Sequence, residues 1–188
     1  MDYKEAKKMV KHALSEKRYK HTVNVKKMAV KLARKHGADP DKAAMAAILH
    51  DACKEKPRAE LLQMMRDNAI IANGTENRPS PVWHGVCAAI MAQTCWGVQD
   101  PDILSAISCH TTGKVGMNLL DKIIFIADMT SAERDYPGVE ELRRMALEDI
   151  DKAMIRGLQM TIHFVEEKQN PVDEESLRAL QNLLKQAS

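Results

Sequence analysis

The sequence predicts an all-α protein, and three observations lead to that prediction. Aromatic residues make up only 4% of the chain, while 12 methionines accompany many alanines and leucines. Such usage favours helices, since aromatic and β-branched residues are the strand formers. Side chains recur along one helical face at His21, Val25, Met28 and Leu32. The pair Asp39-Pro40 is typical of a helix start, with Asp as N-cap and Pro at the first position. We therefore expect a bundle of about nine helices.

Each predicted helix follows from local signals in chain order. Gly37 is a typical C-terminal cap for the second helix. The third, containing AAMAAILHDA, is apolar nearly all round and should be the central, buried one. The loop IANGTENRPSP is rich in Gly, Pro, Asn and Ser, which break helices. These signals bound ten segments, close to the expected count of about nine, at 2–15, 18–35, 40–52, 57–69, 82–96, 101–110, 119–128, 138–148, 151–168 and 173–186.

Length and composition limit the class of protein. A chain of 188 residues is expected to form one domain. No apolar run approaches the roughly 20 residues of a membrane span, and MDYKEAKKMVKH lacks the apolar core of a signal peptide. We therefore expect a soluble cytoplasmic protein. The four cysteines form no CxxC pair, which favours reduced thiols over a zinc ribbon or a redox motif.

Charge is unevenly distributed along the chain. Residues 1–36 hold 12 Lys and Arg against 3 Asp and Glu, although the net charge of the whole chain is only +2. A basic end could steer polyanions, or it could be a solvated helix face. No aromatic residues interleave the basic stretch as a stacking surface for bases would require, so nucleic acid is not expected as a partner.

Metal-binding side chains recur at the ends or on the inner faces of the predicted helices. An ionised Asp at the end of an apolar helix is costly to bury unless it is paired or binds a metal. Six candidates exceed the ligands of one ion and indicate two ions bridged by an aspartate. Imidazole and carboxylate without thiolate favour Fe, Mn or Co over Zn. The candidate ligands are His21, His50, Asp51, His84, His110 and Asp128.

The order His…His-Asp…Asp resembles the HD superfamily of metal-dependent phosphohydrolases. The strings RYKHT, AAILHDACKE, VWHG, ISCHTTGK and DKIIFIADMTSAERDYPGVEELR are similar to its YqeK group, bacterial symmetrical bis(5′-nucleosyl)-tetraphosphatases that cleave diadenosine tetraphosphate into two ADP. The resemblance covers nearly the whole chain. It implies a single HD-domain helical bundle over 1–188, with a metal-binding core at about 18–135 and C-terminal helices at about 138–186.

The resemblance also implies roles for individual residues. The six candidate ligands would hold two metal ions, with iron favoured and Asp51 as the bridge. Asp51 and Lys54 are the expected catalytic residues, because a lysine one turn beyond the His-Asp pair can contact the scissile phosphate. Further substrate contacts are expected from Arg18, Thr111, Thr112, Gly113, Lys114 and Arg134.

Three of these expectations have alternatives. Residues 111–113 could instead form an ordinary helix-to-helix turn, and Arg134 could form an ion pair with Asp135 or Glu133. Arg18 could likewise form an ion pair rather than contact phosphate. The chain also departs from the family pattern between Asp128 and Arg134. Residues 130–132, Thr-Ser-Ala, stand where a glutamate-proline pair is expected.

The expected activity is hydrolysis of diadenosine tetraphosphate through a metal-activated hydroxide. One alternative keeps the site and changes the substrate, giving an HD-superfamily phosphodiesterase or nucleotidase that acts on another nucleotide. Another is a non-catalytic, nucleotide-binding helical module. The expected partner is a small-molecule nucleotide, neither nucleic acid nor membrane, and the Met-rich helical surface could support a homodimer.

Overall fold

The computed structural model describes residues 2–187 and places them in a helical bundle. Eleven α-helices lie within this part of the chain, together with short 3-10 turns at Thr75–Asn77 and Ser80–Val82. The α-helices are α1 (Tyr3–Ala13), α2 (Glu16–His36), α3 (Pro40–Leu49), α4 (Arg58–Asp67), α5 (Ala69–Ala72), α6 (Trp83–Thr94), α7 (Pro101–Cys109), α8 (Leu119–Thr130), α9 (Val139–Glu148), α10 (Ile150–Glu167) and α11 (Glu174–Ala187).

Side-chain caps explain where several helices begin. Asp39 and Asp100 each precede a proline at the first helical position. Each accepts hydrogen bonds from two main-chain N–H groups that follow that proline. Asn118 and Asp121 form a reciprocal capping box at the start of α8. α2 ends at Gly37, whose φ of 81° is in the left-handed region that favours glycine. These caps fix the starts of α3, α7 and α8 and the end of α2, four of the helices that position the candidate ligands.

The core is built around α3, as its composition predicts. Ala43, Ala46 and Ala47 are fully buried, and α3 contacts α1, α2, α7 and α8. Small side chains allow helix axes to approach closely, so α3 brings its C-terminal end into the middle of the bundle. Within residues 2–187, α8 supplies the largest of the fully buried side chains, Phe125. The C-terminal helices α9, α10 and α11 cover the α8 side.

The all-α prediction is confirmed, but the expected count of about nine helices is low. Asn68 ends α4, and the separate helix α5 lies in a segment that the sequence analysis assigned partly to a loop. α2 begins earlier than expected because Ser15 caps it by accepting a hydrogen bond from Arg18 N. Within residues 2–187, no helix combines the length and the apolar character that a membrane span requires.

Candidate metal centre

The six candidate ligands come from five helices and meet at one place inside the bundle. His21 lies in the second turn of α2, and His84 lies in the first turn of α6. His50 and His110 are the C-terminal caps of α3 and α7. Helix ends leave the chain free to turn, so these side chains can point inward where a continuous helix could not aim them all. Asp51 follows His50 just beyond the end of α3, and Asp128 lies in the last turn of α8.

Asp51 lies between two pairs of histidines and turns one carboxylate oxygen toward each pair. Its Oδ2 is 3.5 Å from the Nε2 atoms of both His21 and His50. Its Oδ1 is 3.2 Å from Nε2 of His84 and 3.6 Å from Nε2 of His110. One carboxylate thus contacts two separate groups of imidazole nitrogens. This is the arrangement that a bridging ligand requires.

The Nδ1 atoms of three imidazoles are engaged by main-chain carbonyls. Nδ1 of His50 bonds to Ala47 O at 2.6 Å, and Nδ1 of His110 bonds to Ile107 O at 2.7 Å. Nδ1 of His84 lies 2.9 Å from the carbonyl oxygen of Pro81. A carbonyl only accepts, so Nδ1 must carry the proton in each case. The Nε2 lone pairs are therefore directed toward Asp51, as in histidines that bind metals.

Burial and neighbouring charges shift the pKa values of the imidazoles. Burial lowers the pKa of His50 and that of His84 to about 4, so both are neutral near pH 7. Burial also lowers the pKa of His21, but Asp128 and Glu133 outweigh it and the net pKa is raised. Burial raises the pKa of the Asp128 carboxyl, but contact with His21 outweighs this effect and the net pKa is lowered.

Asp51 is 3% exposed, and its carboxyl group remains ionised. Burial alone would raise its pKa, but the neighbouring imidazoles of His50, His110 and His84 lower it well below its usual range. A buried carboxylate beside the neutral imidazoles of His50 and His84 is a strong site for a cation. It supplies negative charge, and these two imidazoles supply uncharged donors.

The donor atoms fit a divalent metal ion. The Nε2 atoms of His21 and His50 are buried without a hydrogen-bond partner, although Asp128 Oδ1 is only 3.0 Å from His21 Nε2. Ligands about 2.0–2.2 Å from one ion lie about 3 Å from each other, so a cation would satisfy nitrogen and oxygen together. Three groups have ligand atoms within 4.8 Å of one another: His21 with His50 and Asp51, His50 with His110 and Asp128, and Asp51 with His84 and His110.

Three cationic side chains surround the cluster. Arg18 donates to Asp51 Oδ2 at 3.0 Å, and Lys54 Nζ is 3.4 Å from Nε2 of His84. Arg134 donates to Asp128 Oδ1 at 2.6 Å and to its main-chain oxygen at 2.9 Å. Arg134 therefore pairs with Asp128, and the alternative of an ion pair with Asp135 or Glu133 is wrong. The loop turns the guanidinium back onto the end of α8.

Desolvation affects the Lys54 ammonium. The surrounding protein lowers its pKa, against the opposing influence of Asp51 and Asp128. Arg18 and Arg134 remain partly exposed, with side chains 30% and 39% accessible. Two guanidinium groups and an ammonium therefore line the solvent side of the carboxylates. This is a surface to which a phosphate chain can bind.

Glu133 contacts the cluster through His21. The sequence analysis considered Glu133 only as an ion-pair partner of Arg134. One of its oxygens bonds to Nδ1 of His21 and accepts a hydrogen bond from Ser131 Oγ at 2.8 Å. The other accepts from Asn24 Nδ2 at 2.7 Å. The only sequence signal was a glutamate close to the departure from the family pattern. Its partner His21 lies 112 residues earlier in the chain.

The loop that carries Glu133 is held by Arg143 of α9. Its guanidinium donates to three main-chain oxygens, those of Thr130 at 3.0 Å, Ser131 at 2.8 Å and Arg134 at 2.7 Å. The turn between α8 and α9 is therefore tied down at both ends. This explains how a loop without the expected glutamate-proline pair holds a carboxylate against His21.

The segment after His110 contacts other parts of the bundle. Thr112 Oγ1 donates to Gly113 O at 2.9 Å and accepts from Arg78 at 3.2 Å. Lys114 forms an ion pair with the buried Asp121 at 3.2 Å. The donors of Thr112 and Lys114 are thus engaged within the protein. In contrast, the hydroxyl of Thr111 is buried without a hydrogen-bond partner.

Comparison with known proteins agrees with this geometry. The HD domain family model matches residues 18–133, and the chain belongs to that family. HD-domain hydrolases are metal-dependent, which agrees with the His and Asp groups described above.

Similar proteins extend the match beyond the HD domain. The chain is 41% identical over 172 residues to the symmetrical bis(5′-nucleosyl)-tetraphosphatase of Bacillus subtilis, with 92% of each chain covered. It is 38% identical over 188 residues to the protein of that name from Halalkalibacterium halodurans, with 98% of each covered. A crystal structure of a predicted HD superfamily hydrolase involved in NAD metabolism from Clostridium acetobutylicum superimposes with a TM-score of 0.92. That chain is 34% identical, and the match covers 99% of this chain and 98% of the other.

Proposed function

We propose that the chain hydrolyses diadenosine tetraphosphate symmetrically to two ADP. The observation that carries the proposal is the buried carboxylate of Asp51, placed between two pairs of histidines and flanked by three cations. Relatives that carry the tetraphosphatase name support it, because they match the chain over nine-tenths or more of its length.

We infer two ions at this centre, with Asp51 as the bridging ligand. One would bind His21, His50 and Asp128 with Asp51 Oδ2, and the other would bind His84 and His110 with Asp51 Oδ1. Iron is the favoured metal, with manganese or cobalt as alternatives, because the donors are nitrogen and oxygen without thiolate. When bound, such ions would lower the pKa of the attacking water and polarise the phosphoryl oxygens.

The cations of the chain would bind the polyphosphate and stabilise the leaving group. Arg18 and Arg134 each have a guanidinium group beside a carboxylate of the cluster and partly open to solvent. Planar guanidinium groups suit paired hydrogen bonds to phosphate oxygens. Lys54 would stabilise the charge that develops as ADP departs. The unpartnered hydroxyl of Thr111 is a further candidate donor, and substrate roles for residues 112–114 stay predictions.

Symmetrical cleavage requires attack at an inner phosphorus. The oxygen of water forms a bond to the second phosphorus of the chain, and the bond from that phosphorus to the central bridging oxygen breaks. The bridging oxygen leaves with the other half as ADP. One water molecule is consumed and two ADP form, so the atoms balance. No side-chain nucleophile is needed.

Product analysis in ¹⁸O-labelled water tests the proposal directly. Protein loaded with iron, manganese or cobalt is incubated with diadenosine tetraphosphate, and the nucleotides are separated by chromatography. We expect ADP as the only product, with one labelled oxygen in half of the ADP molecules. ATP with AMP would contradict symmetrical cleavage, and no turnover with any of the ions would contradict the substrate. An Asp51→Asn sample prepared in parallel excludes a contaminating hydrolase.

A further inference from the structure

Arg78 connects two segments that each carry a histidine of the cluster. It lies in the loop between α5 and α6, where its main-chain oxygen accepts a hydrogen bond from Trp83 Nε1 at 2.9 Å. Its guanidinium donates to Thr112 Oγ1 at 3.2 Å. Trp83 directly precedes His84, and Thr112 is two residues beyond His110. One residue therefore contacts both segments.

The two histidines depend on the relative position of these segments. Their Nε2 atoms are 3.2 Å apart, and both face the same oxygen of Asp51. His84 is also held by Pro81 O, which belongs to the Arg78 loop. A shift of this loop against the His110 segment would separate two donors that must converge on one ion. Metal affinity falls steeply when ligand positions are lost.

The C-terminal helix holds the guanidinium of Arg78 in place. Asp173, just before α11, accepts two hydrogen bonds of 2.8 Å, one from Nε and one from a terminal nitrogen of Arg78. The Asp173 side chain is 5% exposed, so without the arginine this buried carboxylate would lose its counter-charge and keep the hydrogen bond from Glu175 N. Paired hydrogen bonds of this kind fix direction as well as distance.

Two further contacts join α11 to the segment after His110. A Cβ added at Gly113 would lie 3.2 Å from the Cβ of Ala179, so the helix approaches this loop closely. Gly116 N donates to Asn182 Oδ1 at 3.2 Å. α11 lies outside the segment that the HD domain model matches, which ends at residue 133. A part of the chain beyond the matched domain thus contacts the segment that follows His110.

We propose that Arg78 and Asp173 are positioning residues for the half of the metal centre formed by His84 and His110. They hold the α6 and α7 segments in register, so that both imidazoles face Asp51. The inference rests on the proposed function only in taking the cluster as a metal site, and it requires no particular substrate.

Binding of Co²⁺ to the full-length, metal-free protein tests this inference. Co²⁺ is titrated into wild type and into the variants Arg78→Ala, Arg78→Lys and Asp173→Asn, and visible absorption reports affinity and coordination. For Arg78→Ala we expect the weakest-bound Co²⁺ to lose about 10- to 100-fold in affinity, with a changed spectrum. Arg78→Lys should recover only part of the loss, because one ammonium cannot bond to Asp173 and Thr112 as a planar guanidinium does.

Arg178→Ala is the matched control, since it removes an exposed guanidinium from α11 whose partners are Glu174 and Glu175. It should bind Co²⁺ as wild type does. Thermal unfolding of the metal-free variants separates stability from positioning. A pair with only a structural role would lower the unfolding temperature and leave Co²⁺ affinity and the spectrum unchanged, and this result would overturn the proposal.

Two further outcomes are decided by the same titrations. If Arg78→Ala does not fold, Arg78→Lys and Asp173→Asn decide, and wild-type Co²⁺ binding by both would contradict the proposal. A wild-type stoichiometry of one ion would contradict the two-ion centre. The ratio of wild-type to variant affinity would still decide whether Arg78 positions the histidines. Failure of the tetraphosphatase assay would leave these measurements unaffected.

Discussion

The carboxylate of Glu133 bonds to Nδ1 of His21 across 112 residues of sequence. It lies behind the imidazole, on the side opposite the cluster, and orients the ring so that Nε2 faces Asp51 and Asp128. The other three histidines of the cluster use main-chain carbonyls for this purpose. His21 alone among the four has a charged partner there, which raises its basicity as a ligand.

Glu133→Gln is expected to weaken metal binding by about 10- to 100-fold. Both oxygens of Glu133 accept hydrogen bonds, from His21 and Ser131 at one and from Asn24 at the other. An amide has a single acceptor oxygen, so its NH₂ group would face a donor whichever way it turned. Metal content after dialysis against a chelator measures the effect. Glu141→Gln, an exposed glutamate of α9, should retain the wild-type content, and equal content in both variants would refute the orienting role.

Asp51→Ala should abolish both metal retention and hydrolysis. The variant removes the carboxylate whose two oxygens each face one pair of histidines, so neither ion keeps its full set of donors. Elemental analysis of the purified protein, together with ADP release, checks this outcome. Asp41→Ala, at the other end of the same helix and exposed, provides the comparison. An Asp51→Ala protein that retained both ions would show that another ligand holds them.

Removal of metal should lower thermal stability without changing helix content. A ligand present at about 100 times its dissociation constant stabilises the native state by about 2.7 kcal/mol. For a chain of this length that corresponds to roughly 5–10 °C in the unfolding temperature. Circular dichroism before and after chelation, followed by addition of Mn²⁺, measures both quantities. An unchanged unfolding temperature would mean that the ions contribute little to holding the ligand segments together.

Gly85→Ala should disturb the centre from the side of α6. A Cβ at this position would lie 3.0 Å from the main-chain oxygen of Ser108 and 3.2 Å from the ring of His110. Main chain cannot move aside easily, and overpacking of this kind costs about 1–3 kcal/mol. Urea unfolding of the metal-free protein measures that cost, and Co²⁺ titration shows whether His110 has shifted. Gly97→Ala is an informative contrast because open space surrounds its site, although its φ of 67° brings strain of another kind.

Sequence reasoning identified the fold class because helix signals are local. Asp39 and Asp100 cap helices three or fewer residues away, and Gly37 ends one through its own backbone conformation. Asp51 and Asp128 were selected by a similar local argument, since an aspartate at the end of an apolar helix needs a partner, and the four histidines by their recurrence together with them. The structure brings those six side chains together, and their role as ligands stays a prediction.

The partners of the arginines could not be predicted in this way. The sequence analysis considered only the neighbours Asp135 and Glu133 as ion-pair partners of Arg134, yet the turn after α8 directs its guanidinium to Asp128. Arg78 drew no attention because its partner Asp173 lies 95 residues later. Such contacts depend on how helices pack in three dimensions, and a single sequence holds no local signal for them. Glu133 was missed as a partner of His21 for the same reason.

The six side chains of the cluster come from five helices and converge only when α2, α3, α6, α7 and α8 are all in their native places. A misassembled chain could keep its helices and give a normal far-ultraviolet spectrum, but it would lack a complete set of donors. The number of ions bound per chain therefore measures the fraction of molecules that are correctly assembled. This stoichiometry allows preparations and variants to be compared before any substrate is added.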